Sequence, residues 1–415
     1  MTTYGCIGKK LTHSFSAEIH KKLADYEYKL IELDEEELHS FFAKKSFAAV
    51  NVTIPYKQTV FPYLDEISPI ARRIGAVNTV VNRDGRLWGY NTDYHGMKAL
   101  IRRMGVELRG KKVLILGTGG TCKTAVAVAT DLGAAHILTV SRTKKDSSVT
   151  YEEAAVFHAD AEILINTTPS GMFPHIDTTP INLSAFPRLT GVIDAVYNPL
   201  CTNLVLDAAA RGIKAEGGLY MLVMQAVAAV EKFFDTAIPR ETAERVFTSM
   251  LSAKENIVLT GMPGSGKSTV GKLLCRNGYN FVDTDAEIEK RCGCTIKELI
   301  SRQGEAFFRD WESRVIREVS TETGCVIATG GGGILRQENV RNLKRNGKLY
   351  FLDAQLQRLC ATESRPLSDT AEKLAGLYNE RIGVYRSTAD VTVPDLGTAQ
   401  AEADYILKKR SELIL

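Results

Sequence analysis

Apolar residues occur along this chain in short runs that are separated by longer polar intervals. Up to about residue 100 the runs have the β-rich composition of strands, and the intervals between them have the polar pattern of surface helices. The runs cover residues 4–7, 28–33, 48–54 and 79–82. The first hundred residues are therefore predicted to alternate strands with helices.

A second style of strand begins near residue 111. The segment 112–117 (KVLILG) is apolar without alternation, as expected of a parallel strand that is buried on both faces. Similar runs follow at 136–140, 162–166 and 192–194, with helical intervals between them. This rhythm predicts βαβ units and a doubly wound parallel sheet.

The rest of the pattern divides the chain into domains. Residues 219–234 and 241–251 have helical patterns, and a polar junction at 252–256 precedes a new strand at 257–260. At roughly 150 residues per domain, the length indicates about three domains. We expect α/β domains at 1–100, 101–218 and 252–415, with the helices of 219–251 completing the first.

Composition and charge exclude several classes of protein. Of the 415 residues 44% are hydrophobic and 24% are charged, and the net charge is +3, which argues against a disordered chain or a basic nucleic-acid-binding module. The longest apolar stretch, 219–230, is shorter than the ~20 residues of a membrane-spanning helix. We expect no signal peptide from the residues at the beginning of the given sequence, and eight cysteines without a CxxC pair indicate reduced thiols. We expect a cytoplasmic protein that acts on small molecules, not on nucleic acid or membranes; the sequence predicts no oligomeric state.

A glycine-rich turn, GTGGTCK, occupies residues 117–123, between the strand at 112–116 and an apolar helix at 125–132. Glycine allows backbone N–H groups to approach a pyrophosphate at the positive end of the helix. Gly117, Gly119 and Gly120 are therefore candidate cofactor-binding residues. A purely structural strand–helix turn would look the same, so the motif alone leaves both interpretations open.

The residues after the next strand bear on the choice of cofactor. Ser141, Arg142 and Thr143 stand where NAD-binding folds usually carry an acidic residue for the ribose hydroxyls. A carboxylate would repel a 2′-phosphate, whereas a guanidinium group and hydroxyl groups attract it. The segment therefore predicts NADP, while Lys144 and Lys145 are equally consistent with solvated surface charge.

Several polar strings share one chemical character. They include Ser14-Phe-Ser16 and the strings NVTIPYK (51–57), GAVNT (75–79) and GYNTD (89–93). Each could be an ordinary turn or cap. Together with NTTPSG at 166–171, Asp194 followed by Tyr197-Asn-Pro199, and Gly218-Leu with Gln225-Ala, they match the order and spacing of the shikimate dehydrogenase family, which the chain resembles from about residue 4 to 245.

This resemblance implies a substrate domain followed by an NADP-binding Rossmann domain. It implies that Ser14 and Ser16 bind the substrate carboxylate and that Lys57 and Asp93 form the catalytic pair at the reacting C3 oxygen. Reduction of a ketone by hydride leaves a developing alkoxide, which a nearby cation or proton donor stabilises. The resemblance also implies contacts to the substrate ring from Thr53, Asn78, Thr92, Tyr197 and Gln225, and a cofactor contact at Gly218. Cys122 stands where the family commonly has alanine.

A second phosphate motif, GMPGSGKS at 261–268, satisfies the P-loop pattern directly after a strand and before a helical run. Its backbone amides form an anion nest, Lys267 reaches the outer phosphates, and the Ser268 hydroxyl can ligate Mg²⁺. The domain has only about 160 residues, which favours a small-molecule kinase over a motor ATPase. Candidate nucleotide-binding residues are Gly264, Ser265, Gly266, Lys267, Ser268 and Thr269.

Further polar motifs surround this P-loop in the sequence. Asp283 and Asp285 follow the second strand and would point the same way on an extended chain. Arg309 and Glu312 share a helix face, with an exposed ion pair as the plain structural interpretation. Four glycines at 330–333 follow an apolar strand and would let a ligand lie against backbone, and two more arginines follow, at 365 and 381.

These motifs resemble the shikimate kinases over about 256–394, which implies a P-loop α/β kinase domain. By this resemblance Ser268 and Asp283 hold Mg²⁺, and Asp285 binds the substrate hydroxyl and acts as base. It also implies a carboxylate clamp made of Arg309 and Arg381, a ring surface at Gly331 and Gly332, and a lid residue, Arg365, that closes over the phosphates. The segment before Arg365 is shorter than the family pattern.

The two resemblances support each other because the product of one reaction is the substrate of the next. They imply a bifunctional shikimate-pathway enzyme with NADP, ATP and Mg²⁺ as cofactors. It would reduce 3-dehydroshikimate and phosphorylate shikimate at its 3-hydroxyl group. Two alternatives stay open: an NAD-using quinate/shikimate dehydrogenase fused to the kinase, or one domain that is a catalytically inactive binding or regulatory module.

Overall fold

The computed structural model describes residues 3–11, 15–144, 148–359 and 370–414. The chain divides into two compact units, residues 1–250 and 251–415. Two six-stranded sheets form in the first unit and one five-stranded sheet in the second. None of the helices within the described ranges combines the length and the apolar character that crossing a membrane requires.

The first sheet is mixed, with the strand order β2-β1-β3-β5-β6-β4. Strands β1, β2 and β3 run parallel, whereas β5 pairs antiparallel with both β3 and β6. Its core is built from apolar side chains such as Ile7, Val50 and Val80, each fully buried. The elements are β1 (Thr3–Gly8), α1 (Ser16–Leu23), β2 (Tyr28–Glu32), α2 (Glu35–Lys44), β3 (Phe47–Val52), β4 (Glu66–Ile67), α3 (Pro69–Ile74), β5 (Thr79–Arg83), β6 (Arg86–Tyr90) and α4 (Asp93–Arg103).

The second sheet is wholly parallel, with the order β12-β11-β10-β7-β8-β9. Its central strand β7 is buried from Val113 to Leu116, which confirms the doubly wound sheet predicted from the unbroken apolar run. The elements are β7 (Lys112–Leu116), α5 (Gly120–Asp131), β8 (His136–Ser141), β9 (Ser148–Thr150), α6 (Tyr151–Phe157), β10 (Ile163–Asn166), β11 (Gly191–Asp194), α7 (Asn203–Ala210) and β12 (Lys214–Glu216). Two helices follow, α8 (Leu219–Phe234) and α9 (Arg240–Lys254), and α8 packs against α1, α4, β3 and β5 of the first sheet.

The second unit is a parallel sheet with the order β14-β15-β13-β16-β17 and helices between the strands. Because the carboxyl ends of parallel strands share one edge, the loops that follow β13, β14 and β15 meet there. The elements are β13 (Asn256–Thr260), α10 (Lys267–Leu274), β14 (Asn280–Asp283), α11 (Thr284–Cys292), α12 (Ile296–Gln303), α13 (Glu305–Val319), β15 (Cys325–Ala328), α14 (Gln337–Asn346), β16 (Gly347–Asp353), α15 (Ala371–Thr388), β17 (Val391–Pro394) and α16 (Ala399–Ile414).

The polar segment 252–256, predicted to be a junction, is regular structure almost throughout. Helix α9 continues to Lys254 and β13 begins at Asn256. The guanidinium group of Arg410 donates to the carbonyl oxygens of Ser252 at 2.7 Å and Glu255 at 2.8 Å, and Arg410 is only 3% exposed. A polar composition therefore marks a buried hydrogen-bonded turn here, which local sequence does not distinguish from a linker because its partner lies on α16.

His20 is a fully buried histidine of the first unit. Its ring stacks on Tyr28 with centroids 3.9 Å apart, and its Nδ1 is hydrogen-bonded to the Tyr26 hydroxyl. Its Nε2 has no hydrogen-bond partner among the described residues. Burial disfavours the charged ring and lowers the pKa of His20 to about 3, so the folded unit holds this ring neutral.

Replacement of this ring changes how the first unit responds to acid. The His20 pKa is lower in the folded chain than its usual 6.5, so its contribution to stability is complete above pH 6.5 and is lost as the pH falls below that value. As the pH falls from 6.5 to 5, the free energy of unfolding of the parent protein should therefore decrease by about 2 kcal/mol more than that of the His20→Phe variant. Urea unfolding followed by Trp88 fluorescence in a Trp311→Phe background measures it.

The exposed His39 provides the matched control for this experiment. His39→Phe should keep the pH dependence of the parent protein. Equal pH dependence in the His20→Phe variant and the parent would show that His20 is not held neutral by burial.

Candidate active sites

Lys57 and Asp93 form an ion pair in the first unit. Lys57 lies in the turn after β3, where the N–H of Tyr56 donates to the carbonyl of Thr53 at 2.9 Å, and Asp93 is the first residue of α4. Lys57 Nζ is 2.5 Å from Asp93 Oδ2, and the two side chains are 16% and 10% exposed. A pair this well shielded from water holds the ammonium group in one position.

Asn78 and Thr92 form buried hydrogen bonds next to this ion pair. Asn78 donates from Nδ2 to Asp93 Oδ1 at 2.9 Å and to Thr92 Oγ1 at 3.0 Å. Its Oδ1 accepts the backbone N–H of Thr92 at 2.6 Å. Both side chains are 2% exposed or less, so their hydrogen bonds are made within the protein. Thr53 lies at the same edge, where its N–H donates to Ile7 O at 3.0 Å.

The glycine-rich turn lies against the same lysine. Gly117 has a φ of +110°, and a side chain there would reach within 2.8 Å of Thr167 Oγ1. Helix α5 begins at Gly120, and a Cβ at Gly120 would lie 3.8 Å from Lys57 Cδ. The start of α5 therefore lies beside the aliphatic part of the Lys57 side chain, which places the glycine-rich turn near the Lys57–Asp93 pair.

The residues predicted to contact the 2′-phosphate lie at the end of β8 and directly after it. Arg142 and Thr143 are exposed, whereas Ser141 is buried. The Ser141 hydroxyl donates to the carbonyl of Thr143 and lies 2.9 Å from the Ser148 hydroxyl. The Ser141 hydroxyl therefore shapes its own loop, and of the three predicted residues Arg142 and Thr143 are the exposed ones.

Other predicted residues lie at four places around the first unit. Ser16 is the first residue of α1, and Ser14 lies outside the described residues. The Tyr197 ring packs on Phe15 at 5.3 Å between centroids, and burial raises the pKa of Tyr197. Gln225 donates to the Leu222 carbonyl at 2.9 Å. Gly218 caps the N-terminus of α8, where the carbonyl of Ala195 leaves no room for a side chain.

A cavity of about 470 Å³ lies beside α5, away from the Lys57–Asp93 pair. Its lining includes Arg73, Thr118, Cys122 and Thr139, none of which contacts Lys57 in the described hydrogen bonds. Arg73 is held by Asp131 through two bonds of 3.0 and 2.5 Å. The cavity therefore adjoins the glycine-rich turn through Thr118 and Cys122, and neither Lys57 nor Asp93 lines it.

The P-loop connects β13 to α10 as the motif predicts. Gly264 and Gly266 have φ values of +86° and +87°, a conformation that other residues rarely adopt. Lys267 donates from Nζ to the carbonyls of Gly261 at 2.8 Å and Met262 at 3.0 Å. Ser265 is buried and its hydroxyl has no partner within the described ranges. Thr269 is exposed on the first turn of α10.

Asp283 and Asp285 both line the cavity that contains the P-loop. They do not lie on an extended chain, so the extended geometry predicted for this pair is wrong. Helix α11 begins at Thr284, and Asp283 Oδ1 accepts the N–H of Asp285 at 3.1 Å as the helix cap. The capping preference of aspartate turns the chain before the second carboxylate. Ser268 Oγ donates to Asp283 Oδ2 at 2.6 Å.

These two groups suit magnesium by their chemistry. In the described part of the chain no group of three or more His, Cys, Asp or Glu side chains is arranged to hold a metal ion. Nucleotide-bound Mg²⁺ needs few protein ligands because phosphate oxygens and waters fill most of its octahedron. The hydroxyl of Ser268 and the carboxylate of Asp283 are hard oxygen donors of the required kind.

Two buried carboxylates face each other across Gly330. Asp285 Oδ1 and Glu312 Oε1 both point at the position that a Gly330 side chain would take, and neither has a hydrogen-bond partner among the described residues. Burial, then the charges of Glu312 and Asp283, raise the pKa of Asp285 well above its usual range. Burial also raises the pKa of Glu312. An unsatisfied carboxylate with a raised pKa is a strong proton acceptor for a ligand hydroxyl.

Two arginines complete this site. Arg309 pairs with Glu312 at 2.8 Å and with Glu305 at 2.9 Å. The plain structural interpretation of Arg309 and Glu312, an exposed ion pair, does not hold, because the two side chains are only 11% and 1% exposed. Arg381 is 5% exposed and donates to the Gly331 carbonyl at 3.4 Å. Arg365 lies outside the described residues.

The glycines after β15 are required by close packing at this site. A Cβ at Gly331 would lie 2.8 Å from Pro263, and one at Gly332 would overlap the Arg309 guanidinium group. The Tyr385 hydroxyl donates to the Gly331 carbonyl, and its ring stacks on Phe351 at 5.2 Å. The fixed glycine backbone therefore forms one wall of the site.

The sites of the second unit share one cavity of about 520 Å³. It brings together the P-loop, both aspartates, Arg309 and Arg381, and it includes Glu312, to which the sequence assigned no role. The sequence does place Glu312 on the same face of α13 as Arg309, three residues further on. It does not show that this face is buried, because burial depends on tertiary packing. Apolar lining from α12, Ile296 and Ile300, was also not predicted.

Comparison with known proteins gives a consistent picture. The model of the shikimate dehydrogenase substrate binding domain matches residues 6–80, and the model of shikimate kinase matches residues 263–410. The shikimate dehydrogenase (NADP(+)) of Clostridium beijerinckii is 37% identical over 265 residues, which cover 60% of this chain and 97% of that protein.

Solved structures agree with this result. A shikimate dehydrogenase of Peptoclostridium difficile is 36% identical, with a TM-score of 0.57 over 60% of this chain and 98% of that one. The enzyme of Thermus thermophilus, solved in complex with NADP(H) and shikimate, is 28% identical with a TM-score of 0.54 over 60% and 99%. The predicted fold class is thereby confirmed. The chain belongs to the shikimate dehydrogenase family and carries a shikimate kinase domain after the dehydrogenase part.

Proposed function

We propose that this chain catalyses two consecutive reactions: NADPH-dependent reduction of 3-dehydroshikimate to shikimate, and ATP-dependent phosphorylation of the 3-hydroxyl group of shikimate. The observation that carries the proposal is that one chain contains both sets of reactive groups. The Lys57–Asp93 pair lies beside a dinucleotide turn in the first unit, and a P-loop shares a cavity with Asp285 in the second.

In the first reaction NADPH bound at the glycine-rich turn would supply the hydride for the carbonyl carbon at C3. Lys57 gives a proton to the carbonyl oxygen as that oxygen gains negative charge, which leaves shikimate with a 3-hydroxyl group. Asp93 keeps the Lys57 ammonium group in place over the 2.5 Å ion pair. In oxidation of shikimate the same lysine takes the hydroxyl proton, so the pair serves both directions.

NADP is the cofactor named for the curated dehydrogenase relatives, and the residues of this chain are consistent with it. The turn at Gly117, Gly119 and Gly120 would receive the pyrophosphate, and Arg142 with Thr143 would contact the 2′-phosphate. Both side chains are exposed where β8 ends. The NAD-using quinate/shikimate alternative is less well supported, because NAD favours an acidic residue at this place and the chain has none there.

In the second reaction Asp285 accepts the proton of the substrate 3-hydroxyl group, and the oxygen of that hydroxyl group attacks the γ-phosphorus of ATP. The bond from that phosphorus to the bridging oxygen breaks, and ADP leaves. The buried and partnerless Oδ1 of Asp285 supports this role. Lys267 neutralises the transferring phosphoryl group, and Arg309 with Arg381 would bind the substrate carboxylate.

Ser268 and Asp283, whose oxygens lie 2.6 Å apart, would hold Mg²⁺ in this proposal, and its charge would offset that of the phosphates. The ring of shikimate would then lie along Gly331 and Gly332, where the absence of side chains leaves room beside Arg309.

Removal of the Lys57 ammonium group should separate the two activities. Lys57→Ala is expected to lower shikimate oxidation roughly 10²–10⁴-fold, because the proton donor is lost, while phosphorylation of shikimate stays at the parent rate. Lys111, paired with Glu162 at 3.1 Å and distant from the turn, gives the control variant Lys111→Ala. NADP⁺ reduction and ATP consumption by the same preparation are the measurements, and equal loss of both activities would contradict the assignment.

The P-loop lysine should show the reverse pattern. Lys267→Ala is expected to reduce phosphoryl transfer roughly 10²–10³-fold, since the charge at the γ-phosphate is lost, and to leave shikimate oxidation unchanged. Lys272→Ala, one turn further along α10 and exposed, controls for loss of a positive charge on that helix. Parent-level ATP turnover in Lys267→Ala would overturn the assignment of the kinase activity to this P-loop, whereas a parent protein without shikimate-dependent ATP turnover would support the inactive regulatory domain.

A further inference from the structure

A chain of buried hydrogen bonds runs behind the Lys57–Asp93 pair. It begins at the Tyr28 hydroxyl, which donates to Asn51 Oδ1 at 2.7 Å. Asn51 then donates from Nδ2 to Thr79 Oγ1 at 3.1 Å and to the Asn78 carbonyl at 3.3 Å. Asn51 and Thr79 are opposite each other in the register of β3 and β5, so the sheet itself sets their spacing.

Thr79 joins this chain to the residues that hold Asp93. Because its Oγ1 accepts from Asn51, its own proton goes either to Asn78 Oδ1 at 3.2 Å or to Thr92 Oγ1 at 3.1 Å. Thr79 is 0% exposed and Asn51 is 7% exposed. Neither side chain is presented to a ligand, so their hydrogen-bonding capacity is directed entirely into the protein.

The orientation of the Asn78 amide depends on these bonds. Its Oδ1 lies among donors, since it accepts the Thr92 N–H at 2.6 Å and is within reach of the Thr79 hydroxyl. Its Nδ2 is thereby turned toward Asp93 Oδ1 at 2.9 Å. The opposite orientation would place an amide oxygen against the Asp93 carboxylate, and two acceptors at that distance repel.

We propose that Thr79 and Asn51 are positioning residues of the dehydrogenase site: they fix the Asn78 amide, which fixes Asp93, which fixes the Lys57 ammonium group. The inference rests on the proposed reduction of 3-dehydroshikimate. Proton transfer depends on a donor held within hydrogen-bond distance of the reacting oxygen, and small displacements of such a group reduce the rate strongly. The chain of bonds therefore transmits the rigidity of the β3–β5 pairing to Lys57.

Thr79→Val tests this because it keeps the shape of the side chain and removes only the hydroxyl group. We expect kcat for shikimate oxidation to fall roughly ten-fold and the KM for NADP⁺ to stay unchanged. The isotope effect on kcat with shikimate deuterated at C3 should rise, since a less well placed Lys57 makes the chemical step more rate-limiting. Thr79→Ser, which restores the hydroxyl, should recover most of the rate.

Asn82 supplies a matched control on the same strand. Like Asn51, it donates two hydrogen bonds from Nδ2, here to the carbonyls of Lys45 at 2.9 Å and Phe47 at 3.0 Å, but it lies outside the chain of bonds to Asp93. Asn51→Leu should reproduce the kinetic pattern of Thr79→Val, whereas Asn82→Leu should keep the parent kcat and isotope effect.

The possible results separate the inference from the function on which it rests. A parent protein that oxidises shikimate, with a Thr79→Val variant of equal kcat, would overturn the inference alone. A lower kcat with an unchanged isotope effect, shared by Asn82→Leu, would show a merely structural role and would overturn it too. A parent protein without shikimate oxidation would overturn the proposed function and the inference together.

Discussion

Both catalytic units depend on one backbone constraint: a strand buried in a parallel sheet must turn directly into a helix and leave the first N–H groups of that helix uncovered. Glycine makes these turns possible, at Gly117 with a φ of +110° and at Gly264 and Gly266 with φ values near +86° and +87°. A side chain at Gly117 would collide with Thr167. Both turns lie at the carboxyl edge of their sheets. In the second unit Asp285 follows β14 at that same edge, whereas in the first unit Lys57 and Asp93 come from the first sheet and the start of α5 lies beside the Lys57 side chain.

The second requirement is that charges shielded from water be held by partners. In the first unit the Lys57–Asp93 pair is satisfied by Asn78 and, through it, by the buried polar residues of β3 and β5. In the second unit the arrangement differs, because Asp285 Oδ1 and Glu312 Oε1 remain without partners in the described ranges. Unsatisfied buried acceptors cost free energy, so a ligand that donates hydroxyl protons there gains affinity from their satisfaction.

Much of this organisation is visible in the sequence. The parallel strands were predictable because burial on both faces leaves an unbroken apolar run, as at β7 and β15, and the phosphate turns were predictable because only glycine permits them. Features that depend on distant partners were not. The 252–256 segment is ordered by hydrogen bonds from Arg410 on α16. Asp283 caps α11, so Asp283 and Asp285 do not lie on the extended chain that was expected. The burial of Glu312 follows from the packing of α13. The roles of all the site residues stay predictions, and for Ser14 and Arg365 the positions also lie outside the described ranges.

The most direct measurement is a single reaction mixture of the purified protein with 3-dehydroshikimate, NADPH, ATP and Mg²⁺, analysed by mass spectrometry together with NADPH absorbance. The account predicts accumulation of shikimate 3-phosphate, with equal amounts of NADPH oxidised and ATP consumed, and accumulation of shikimate alone when ATP is omitted. A protein that neither oxidises NADPH with this substrate nor phosphorylates added shikimate would contradict it.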